Sequence, residues 1–325
     1  MSWLNISELR SLLYKSNNFI INKISSQSYK FIVDKCQIGC VRKDMLHAIS
    51  QYSDVFRIDD ISKTVILNEE LKSSSEKTEA INKIFSEIRD KGTFPFLKKW
   101  RNENYAIYSE DLLTYWFDME RSATGILGVV RRGVHVTGYT INNGDYFIWI
   151  GKRSMNKETH PGKLDNMVGG GCNCNYSIWE NVTKECQEEA GVNDGLLKAL
   201  KPAGCISLMF EDYRGILPEI IYCYDLCLPN DFIPENKDGE VGEFMLMSVE
   251  EVGALLGKPC FKYDSALVTL DFYFRHGIIQ PDSYNDASLP IDSSVDNNHP
   301  KTVFTNLVCT HCKSSLRLYL GICRK

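Results

Sequence analysis

Three glutamates, Glu185, Glu188 and Glu189, crowd one short segment with a helical pattern. Residues three and four apart are neighbours on a helix, so these carboxylates share one side, where like charges repel by roughly 0.2–0.5 kcal/mol per pair. A bound cation would offset this repulsion. Mg²⁺ takes oxygen ligands, usually keeps several waters and commonly accompanies phosphate groups in proteins. The spacing therefore predicts a divalent-metal site that works on a phosphate compound, with Mg²⁺ expected and Mn²⁺ as its substitute.

The glutamates lie beside the predicted buried face of their helix. Over residues 177–190, an apolar stripe recurs at helical spacing and consists of Ile178, Val182, Cys186 and Ala190. The three carboxylates occupy an adjoining arc of ~100°, which places them at the edge of the surface that the helix buries. The alternative is a solvated charged face, but such a face more often lies opposite the stripe and mixes signs.

Glycines flank this helix on both sides. Gly169, Gly170 and Gly171 precede it, and a glycine loop that enters a helix N-terminus lets backbone groups approach a metal or a diphosphate closely. Gly191 stands where a left-handed C-terminal cap is favoured. Each glycine feature alone is weak evidence. Joined to the glutamates at fixed spacing, they form one recognisable pattern.

The spacing resembles the Nudix box, G-x5-E-x7-R-E-U-x-E-E-x-G-U, where U is a bulky aliphatic residue. The first glycine of the box falls on one member of the glycine run, and the three glutamates and the second glycine match by position. The matching residues are Gly170, Glu185, Glu188, Glu189 and Gly191.

Two positions depart from the box. Tyr176 stands at the first glutamate and Lys184 stands at the arginine. In Nudix enzymes these two residues support the helix by pairing, and a lysine lacks the bidentate fork of arginine. The resemblance therefore implies altered scaffolding around a retained metal site.

The resemblance covers roughly residues 28–280 and includes KFIVDKCQIGCVRKDMLHAI, HPGKLDNMVGGG and FKYDSALVTLDFYFRHGII. These segments are similar to a Nudix branch with an N-terminal domain of unknown function, DUF4743, which is related to the N-terminal half of thiamin pyrophosphokinases. The resemblance implies an α+β N-terminal domain followed by an α/β/α Nudix sandwich, in which a mixed sheet carries the loop and helix of the box.

The same resemblance implies Mg²⁺-dependent hydrolysis of a diphosphate linkage. The expected substrates are thiamine diphosphate analogues, such as oxo- and oxythiamine diphosphate, and the products are the monophosphate and phosphate. Two alternatives stay open: hydrolysis of another substrate such as ADP-ribose or NADH, and a non-catalytic binding protein that keeps the fold. The retained glutamates argue against the binding protein, whereas Tyr176 and Lys184 argue for it.

Carried over by position, Glu188 and Glu189 match the principal metal ligands. Glu185 joins them, either as a third ligand or as the residue that orients or deprotonates water. A backbone carbonyl of Gly169 or Gly170 is expected to complete the metal shell, and Gly170 also to contact substrate.

One further acid commonly follows the box on a loop, and Glu240 in KDGEVGEF is our candidate, with Glu243 second. The alternative for either residue is a solvated loop charge. Arg153, at the end of a predicted strand, is expected to hold a phosphate, while a strand-end salt bridge is an equally good explanation.

Four further residues are candidates for the substrate pocket. The resemblance places Lys163 and Asp165, in GKLDN, in a segment that lines the site, although local hydrogen bonds of a turn would also explain them. A cationic thiazolium ring would suit an aromatic wall. Trp100 and Tyr105 could supply that wall from the N-terminal domain, with burial in the core as the alternative.

The elements around these residues follow from pattern. A hairpin is predicted over residues 135–154 because two β-rich runs flank Asn142, Asn143 and Gly144. Strands are predicted within 203–213, 219–229 and 243–249, and helices within 248–257 and 265–277. In the N-terminal part we expect one strand-like run over 30–41 followed by a helix, then a strand and a helix that stops near Gly92.

Length and composition set the outer limits. The chain of 325 residues predicts two domains, at 1–122 and 123–282, followed by a tail at 283–325 that is rich in Asp, Ser, Asn and Pro and predicted to be disordered. Cys309 and Cys312 in that tail are only a weak zinc signal, because a second ligand pair is missing.

The charge and the cysteines indicate the class of protein. A net charge of -5 offers no basic excess for nucleic acid, and no apolar run is long enough for a membrane span. Twelve cysteines without a signal-peptide pattern predict reduced thiols and a cytoplasmic protein, with organellar targeting left open. The expected partner is a small diphosphate substrate, and the sequence does not indicate an oligomeric state.

Overall fold

The computed structural model describes residues 3–16, 18, 28–109 and 111–279. The predicted disordered tail and its cysteine pair lie outside the described residues. Within the described ranges, no helix is long and apolar enough to cross a membrane.

Four strands form the N-terminal sheet: β1 (Ser28–Val33), β2 (Cys36–Arg42), β3 (Phe56–Asp59) and β4 (Thr64–Leu67). Their order is β2-β1-β4-β3, and β1 and β4 are parallel. The run predicted as a single strand is thus a hairpin of β1 and β2. Asp34 and Lys35 form its turn with positive φ values of 45° and 70°, a conformation that the alternating pattern alone does not indicate.

Helices and a small ribbon complete the first half of the chain. They are α1 (Ile6–Ser16), α2 (Leu46–Ile49), α3 (Ser74–Asp90), α4 (Thr124–Leu127) and the antiparallel strands β5 (Asn104–Tyr108) and β6 (Tyr115–Glu120). A capping box of Ser73 and Glu76 starts α3, and Ile81 and Ile88 bury its apolar stripe. The predicted stop is confirmed, because Gly92 follows the helix with a φ of +68°.

Seven strands form the second sheet: β7 (Arg131–Asn142), β8 (Asp145–Arg153), β9 (Leu164–Asn166), β10 (Val168–Gly171), β11 (Leu200–Asp212), β12 (Gly215–Cys227) and β13 (Val241–Ser248). The order is β11-β12-β7-β8-β13, with β10 on β7 and β9 on β8. The sheet is mixed, because β12 and β7 are parallel while the other pairs are antiparallel. The predicted hairpin around Asn143 and Gly144 is confirmed as β7 and β8.

Helices cover both faces of this sheet. They are α5 (Ile178–Ala190), α6 (Asp194–Leu197), α7 (Val249–Gly253) and α8 (Tyr263–Arg275). Alternate residues of a strand point to opposite faces. On β8, Trp149 accordingly joins the core beneath α5, whereas Ile148 and Ile150 join the core that contains α8. The predicted α/β/α sandwich with a mixed sheet is thereby confirmed.

The first helix packs on this second sandwich. Leu9 and Leu12 of α1 are buried in the same core as Phe272 and Tyr273 of α8. Trp3 adds an edge-to-face contact with the Tyr273 ring, with the ring centres 6.1 Å apart. The helix that the predicted boundary places in the N-terminal domain thus shares the core of the second unit.

Close backbone contacts join the two units at α4. A Cβ on Gly125 would lie 2.7 Å from the carbonyl oxygen of Arg214, at the turn between β11 and β12. Gly128 adopts a left-handed φ of +60°, and a Cβ there would overlap the carbonyl of Cys40. The Gly125 contact joins α4 to the second unit, and a hydrogen bond of 3.0 Å from Cys174 N to the backbone oxygen of Asn104 ties β5 to the segment between β10 and α5, where the candidate site lies.

Candidate functional site

A cavity of about 480 Å³ opens where the two units meet. The second unit supplies most of the predicted acidic and glycine residues, and the N-terminal unit supplies aromatic and basic residues. The site residues predicted from the sequence that line it are Glu185, Glu188, Glu240, Gly169, Gly170 and Arg153. Glu189 and Asp165 instead line a small adjoining cavity, which also touches Arg153 and Glu240. Lys163 and Trp100 line neither cavity.

The helix that carries the glutamates is fixed at both ends. Ser177 and Glu180 form a capping box at its start, and Gly191 ends it with a φ of +64°. The side chain of Asn181 accepts a hydrogen bond from Asn173 N and donates to the carbonyl oxygens of Asn173 and Tyr176. The capping residues Ser177 and Glu180 lie outside the cavity lining, so the helix faces the cavity with its later turns.

The glycine run is a strand and not a loop. Gly169, Gly170 and Gly171 belong to β10 and pair with β7. None of them has a positive φ, so their role is close approach. A Cβ on Gly170 would lie 2.5 Å from the carboxyl carbon of Glu185, and one on Gly171 would overlap the hydroxyl of Tyr105. The missing side chains therefore make room for a glutamate from one unit and a tyrosine from the other.

Glu189 is the buried member of the three glutamates, with 3% exposure. Its Oε2 accepts a hydrogen bond of 2.8 Å from Gly169 N, so the amide of this predicted metal-shell glycine is directed at the carboxylate. Burial, reinforced by the negative charge of Glu185, raises the pKa of Glu189 to about 8. A buried carboxyl with this pKa gains from a nearby cation, because the cation favours its charged form.

Among the described residues, one group of three carboxylates meets closely enough to hold a metal ion. It consists of Glu189, Asp238 and Glu240, whose oxygen atoms lie within 4.8 Å of one another. Lys157 extends its ammonium group to Glu240, and burial, followed by the charge of Arg153, lowers the pKa of Lys157 to about 8. Oxygen donors of this kind suit Mg²⁺ or Mn²⁺, so the residues present fit such an ion.

The predicted ligand set remains a prediction and overlaps with this group at one residue. Only Glu189 of the three helix glutamates belongs to this group, and the loop before β13 supplies the other two carboxylates, those of Asp238 and Glu240. Asp238 was missed, although it stands two residues before Glu240 in the same loop. The second choice, Glu243, is wrong, because it is exposed on β13 beside Lys152 and outside the lining.

The other two helix glutamates face the main cavity. Lys184, at the arginine position of the box, pairs with Glu188 at 2.6 Å. Glu185 lies against Gly170, and burial raises the pKa of its carboxyl group while Lys184 opposes that rise. Glu188 and Glu185 therefore stand next to the three-carboxylate group without joining it.

Arg153 and Asp165 form a buried ion pair with each other. Arg153 Nη1 donates to Asp165 Oδ2 at 2.8 Å, and both side chains are more than nine-tenths buried. The ammonium of Lys262 lies 3.5 Å from the same carboxylate. Burial alone would raise the pKa of Asp165, but the charges of Lys262, His135 and Arg153 outweigh it and lower that pKa. The structure contains the strand-end salt bridge that was the alternative for Arg153, and Arg153 also lines the cavity, so substrate binding by these two residues remains a prediction.

The predicted aromatic wall is only partly in place. Trp100 packs against the N-terminal core, with the guanidinium carbon of Arg89 at 4.6 Å from its ring centre, so its predicted contact with substrate is wrong. Tyr105 does line the cavity. Three aromatic lining residues were missed, Phe96, Tyr213 and Tyr263, and the ring centres of Phe96 and Tyr213 are 6.0 Å apart across the two units.

Basic residues of the N-terminal unit also line the cavity and were missed. Lys99 Nζ donates to the backbone oxygen of Glu158 at 2.8 Å, and Arg101 lies 3.9 Å from the Glu158 carboxylate. Arg121 follows β6 and faces the glycine strand. Isolated basic residues in turns carry no motif, so only the packing of the two units brings them to the glutamates.

Comparisons with known proteins agree with this two-part arrangement. A model of a domain of unknown function, DUF4743, matches residues 9–131, and a model of the NUDIX domain matches residues 131–264. The chain is 37% identical over 254 residues to Nudix hydrolase 24, chloroplastic, of Arabidopsis thaliana, an alignment that covers 78% of this chain and 69% of that protein.

Two further relatives match over similar lengths. Nudix hydrolase 20, chloroplastic, of Arabidopsis thaliana is 33% identical over 301 residues, which cover 87% of this chain and 80% of that protein. An uncharacterized protein of Saccharomyces cerevisiae is 31% identical over 273 residues, which cover 77% of this chain and 78% of that protein.

Proposed function

The chain belongs to the Nudix family and is a hydrolase of diphosphate linkages, and we propose that its substrates are thiamine diphosphate analogues, such as oxo- and oxythiamine diphosphate. The products are the monophosphate and phosphate, and the reaction needs Mg²⁺. The observation that carries this proposal is the group of Glu189, Asp238 and Glu240 at the edge of a cavity that also has aromatic walls.

In this proposal Glu189, Asp238 and Glu240 hold the metal ion, with Glu188 beside them. When bound, the ion neutralises phosphate charge and lowers the pKa of a coordinated water. Glu185 takes the proton of the attacking water, because it faces the cavity and burial raises its pKa above the ordinary glutamate value, which makes it a stronger base. The water oxygen bonds to the terminal phosphorus, and the bridging oxygen leaves with the monophosphate.

The organic part of the substrate occupies the aromatic part of the cavity. Tyr213 keeps 69% of its surface exposed and stands edge-on to Phe96. A flat cationic ring gains about 0.5–2 kcal/mol over an aromatic face. We assign the thiazolium contact to Tyr213, in place of the Trp100 contact that the sequence suggested.

A nucleoside-diphosphate-linked substrate, such as ADP-ribose or NADH, is the second candidate. At the same cavity, Lys99 donates to the backbone oxygen of Glu158 and Arg101 lies 3.9 Å from the carboxylate of Glu158, which leaves an excess positive charge there. Such an excess favours a more anionic substrate.

The third candidate is a non-catalytic binding protein. It is supported by the pairing of Lys184 with Glu188, because this ion pair occupies one of the helix carboxylates.

The cellular location belongs to this proposal as well. We place the protein in the cytoplasm, with an organelle as the alternative that the names of the two plant relatives raise.

A substrate panel tests the proposal. Phosphate release is measured from oxythiamine diphosphate, thiamine diphosphate, ADP-ribose and NADH, each with Mg²⁺ and with chelator. For ADP-ribose and NADH, whose cleavage releases monophosphates and no free phosphate, a phosphatase is added to free the phosphate. Turnover concentrated on the thiamine compounds and absent with chelator supports the proposal. A clear preference for ADP-ribose or NADH selects the second candidate, and no turnover by folded protein that binds the compounds selects the third.

A variant sharpens this test. Tyr213→Leu removes the exposed ring and is expected to raise KM for the thiamine compounds about 3- to 30-fold, as loss of a cation–π contact implies. Tyr14→Leu is the matched control, because Tyr14 is similarly exposed, at 66%, and lies outside the cavity lining. Equal KM values for the two variants would remove Tyr213 from the proposed substrate contact.

A further inference from the structure

The N-terminal unit places an arginine, Arg121, in the cavity that holds the glutamates. Its guanidinium carbon lies 5.2 Å from the centre of the Tyr105 ring. Tyr105 is itself seated against β10, since a Cβ on Gly171 would overlap its hydroxyl. Arg121 is therefore anchored next to the glycine strand on which Glu185 also rests.

The guanidinium of Arg121 keeps free donors. Nη1 donates to Glu103 Oε2 at 2.5 Å, and within the described part of the chain no other acceptor takes a hydrogen bond from this side chain. A guanidinium has five N–H donors. The side chain remains 33% exposed, so its other donors are open to the cavity.

The lysines and arginines that the second unit contributes to the lining are paired with carboxylates of that same unit. Arg131 pairs with Glu219 at 2.8 Å, and Lys184, Arg153 and Lys262 pair as closely with other acids. The acids of the site would repel a diphosphate if nothing compensated for them, and Glu185 already contributes to the negative surroundings of Arg121. A cation supplied from outside the second unit meets this need.

We propose that Arg121 is a phosphate-binding residue, which holds the diphosphate of the substrate from the N-terminal unit while Glu189, Asp238 and Glu240 hold the metal ion. The planar fork of arginine matches two phosphate oxygens at once, and stacking on Tyr105 fixes the orientation of that fork. The inference rests on the proposed diphosphate chemistry, but not on which organic group the diphosphate carries. It makes the N-terminal unit a part of the active site.

The test uses the full chain and a diphosphate that cannot be hydrolysed. Binding of methylenediphosphonate is measured by calorimetry with saturating Mg²⁺. Arg121→Ala is expected to weaken binding about 10-fold or more, since a charge-assisted hydrogen bond is lost, and Arg121→Lys to weaken it less. Arg89→Ala is the matched control: Arg89 also stacks on an aromatic ring of the N-terminal unit, but it lies outside the lining and its loss should leave binding unchanged.

A second variant separates phosphate binding from a structural role. Glu103→Gln breaks the same ion pair but keeps Arg121, so it should bind the diphosphonate at least as tightly as wild type. If Glu103→Gln binds as weakly as Arg121→Ala, or if Arg121→Ala binds like wild type, the proposal is overturned. A wild-type protein that does not bind the diphosphonate also overturns it.

Turnover separates this inference from the proposed function. If the wild-type protein hydrolyses none of the panel substrates but Arg121→Ala still loses diphosphonate binding, the proposed function fails and the assignment of Arg121 stands. If the wild-type protein hydrolyses them and Arg121→Ala matches it in both KM and diphosphonate binding, the function stands and the assignment of Arg121 fails.

Discussion

At the scale of single residues, Glu189 combines burial, an amide hydrogen bond and a raised pKa of about 8. Because the folded state holds this proton more tightly than the unfolded state, the associated stability is complete below the ordinary glutamate pKa of 4.5 and is lost as the pH rises through about 8. Without metal, the ionised carboxylate therefore destabilises the protein at alkaline pH. A bound cation removes that penalty.

Glu189→Gln should consequently stabilise the metal-free protein more at pH 8 than at pH 5, by on the order of 2 kcal/mol. The amide oxygen of glutamine can still accept the hydrogen bond from Gly169, so the comparison isolates the charge. Urea unfolding in chelator measures the difference. An advantage of the variant that is the same at both pH values would contradict the account of Glu189.

Only part of the residue-level site was readable from the sequence. The box spacing predicted Glu189, and the resemblance added Glu240, with Glu243 second, as an acid on the loop after the box. Asp238 and Lys157 have no such pattern, and they become relevant only because the loop before β13 folds back onto α5. A salt bridge of Arg153 was an open alternative, but its partner could not be named, because Asp165 lies across a loop on the neighbouring strand.

At the scale of elements, the helix α5 and the glycine strand β10 differ in how far the sequence predicts them. The limits of α5 were predictable, because Ser177, Glu180 and Gly191 are local caps and its apolar stripe is periodic. The strand character of the glycine run was not predictable, because a run of glycines has weak strand preference. What requires glycine there is long-range contact with Glu185 and Tyr105.

Gly170→Ala tests this reading of β10. The new methyl group would lie 2.5 Å from the carboxyl carbon of Glu185, so Glu185 must move away from its position. We expect kcat to fall at least about 10-fold, with stability reduced by roughly 1–3 kcal/mol, the usual cost of overpacking. Steady-state kinetics and urea unfolding measure the two effects.

The matched control is Gly242→Ala on β13. The nearest atoms to a Cβ at Gly242 are 3.6 Å away, which is ordinary contact, and Gly242 has no positive φ. Wild-type kinetics in Gly170→Ala, or an equal loss in both variants, would show that close approach to Glu185 is not the reason for the glycine.

At the scale of the whole molecule, the site belongs to the contact between the two units. The second sandwich provides the glutamates and the glycine strand, whereas the N-terminal unit contributes Tyr105, Phe96 and Arg121 to the same cavity. The α/β/α architecture was predictable from its resemblance and its strand pattern. Of the joint cavity, the sequence analysis anticipated only an aromatic contribution from the N-terminal domain, because the close packing at Gly125 and the seating of α1 on α8 are long-range contacts.

This arrangement explains why the N-terminal domain and the catalytic domain occur in one chain. The two family models meet at residue 131, yet the cavity is lined from both sides of that point. A cavity assembled in this way couples substrate binding to the packing of the two units. The boundary near residue 122 remains a prediction, while the functional unit that we propose spans both parts.

The most direct test of the central claim is Mg²⁺-dependent phosphate release from oxythiamine diphosphate by the wild-type protein, Asp238→Asn and Glu243→Gln. Asp238 belongs to the three-carboxylate group, whereas Glu243 is exposed on β13 outside the cavity lining. We predict that Asp238→Asn lowers kcat/KM at least about 10-fold and raises the Mg²⁺ concentration needed, while Glu243→Gln matches wild type. Equal activity and equal Mg²⁺ dependence in all three proteins would contradict the proposed metal site.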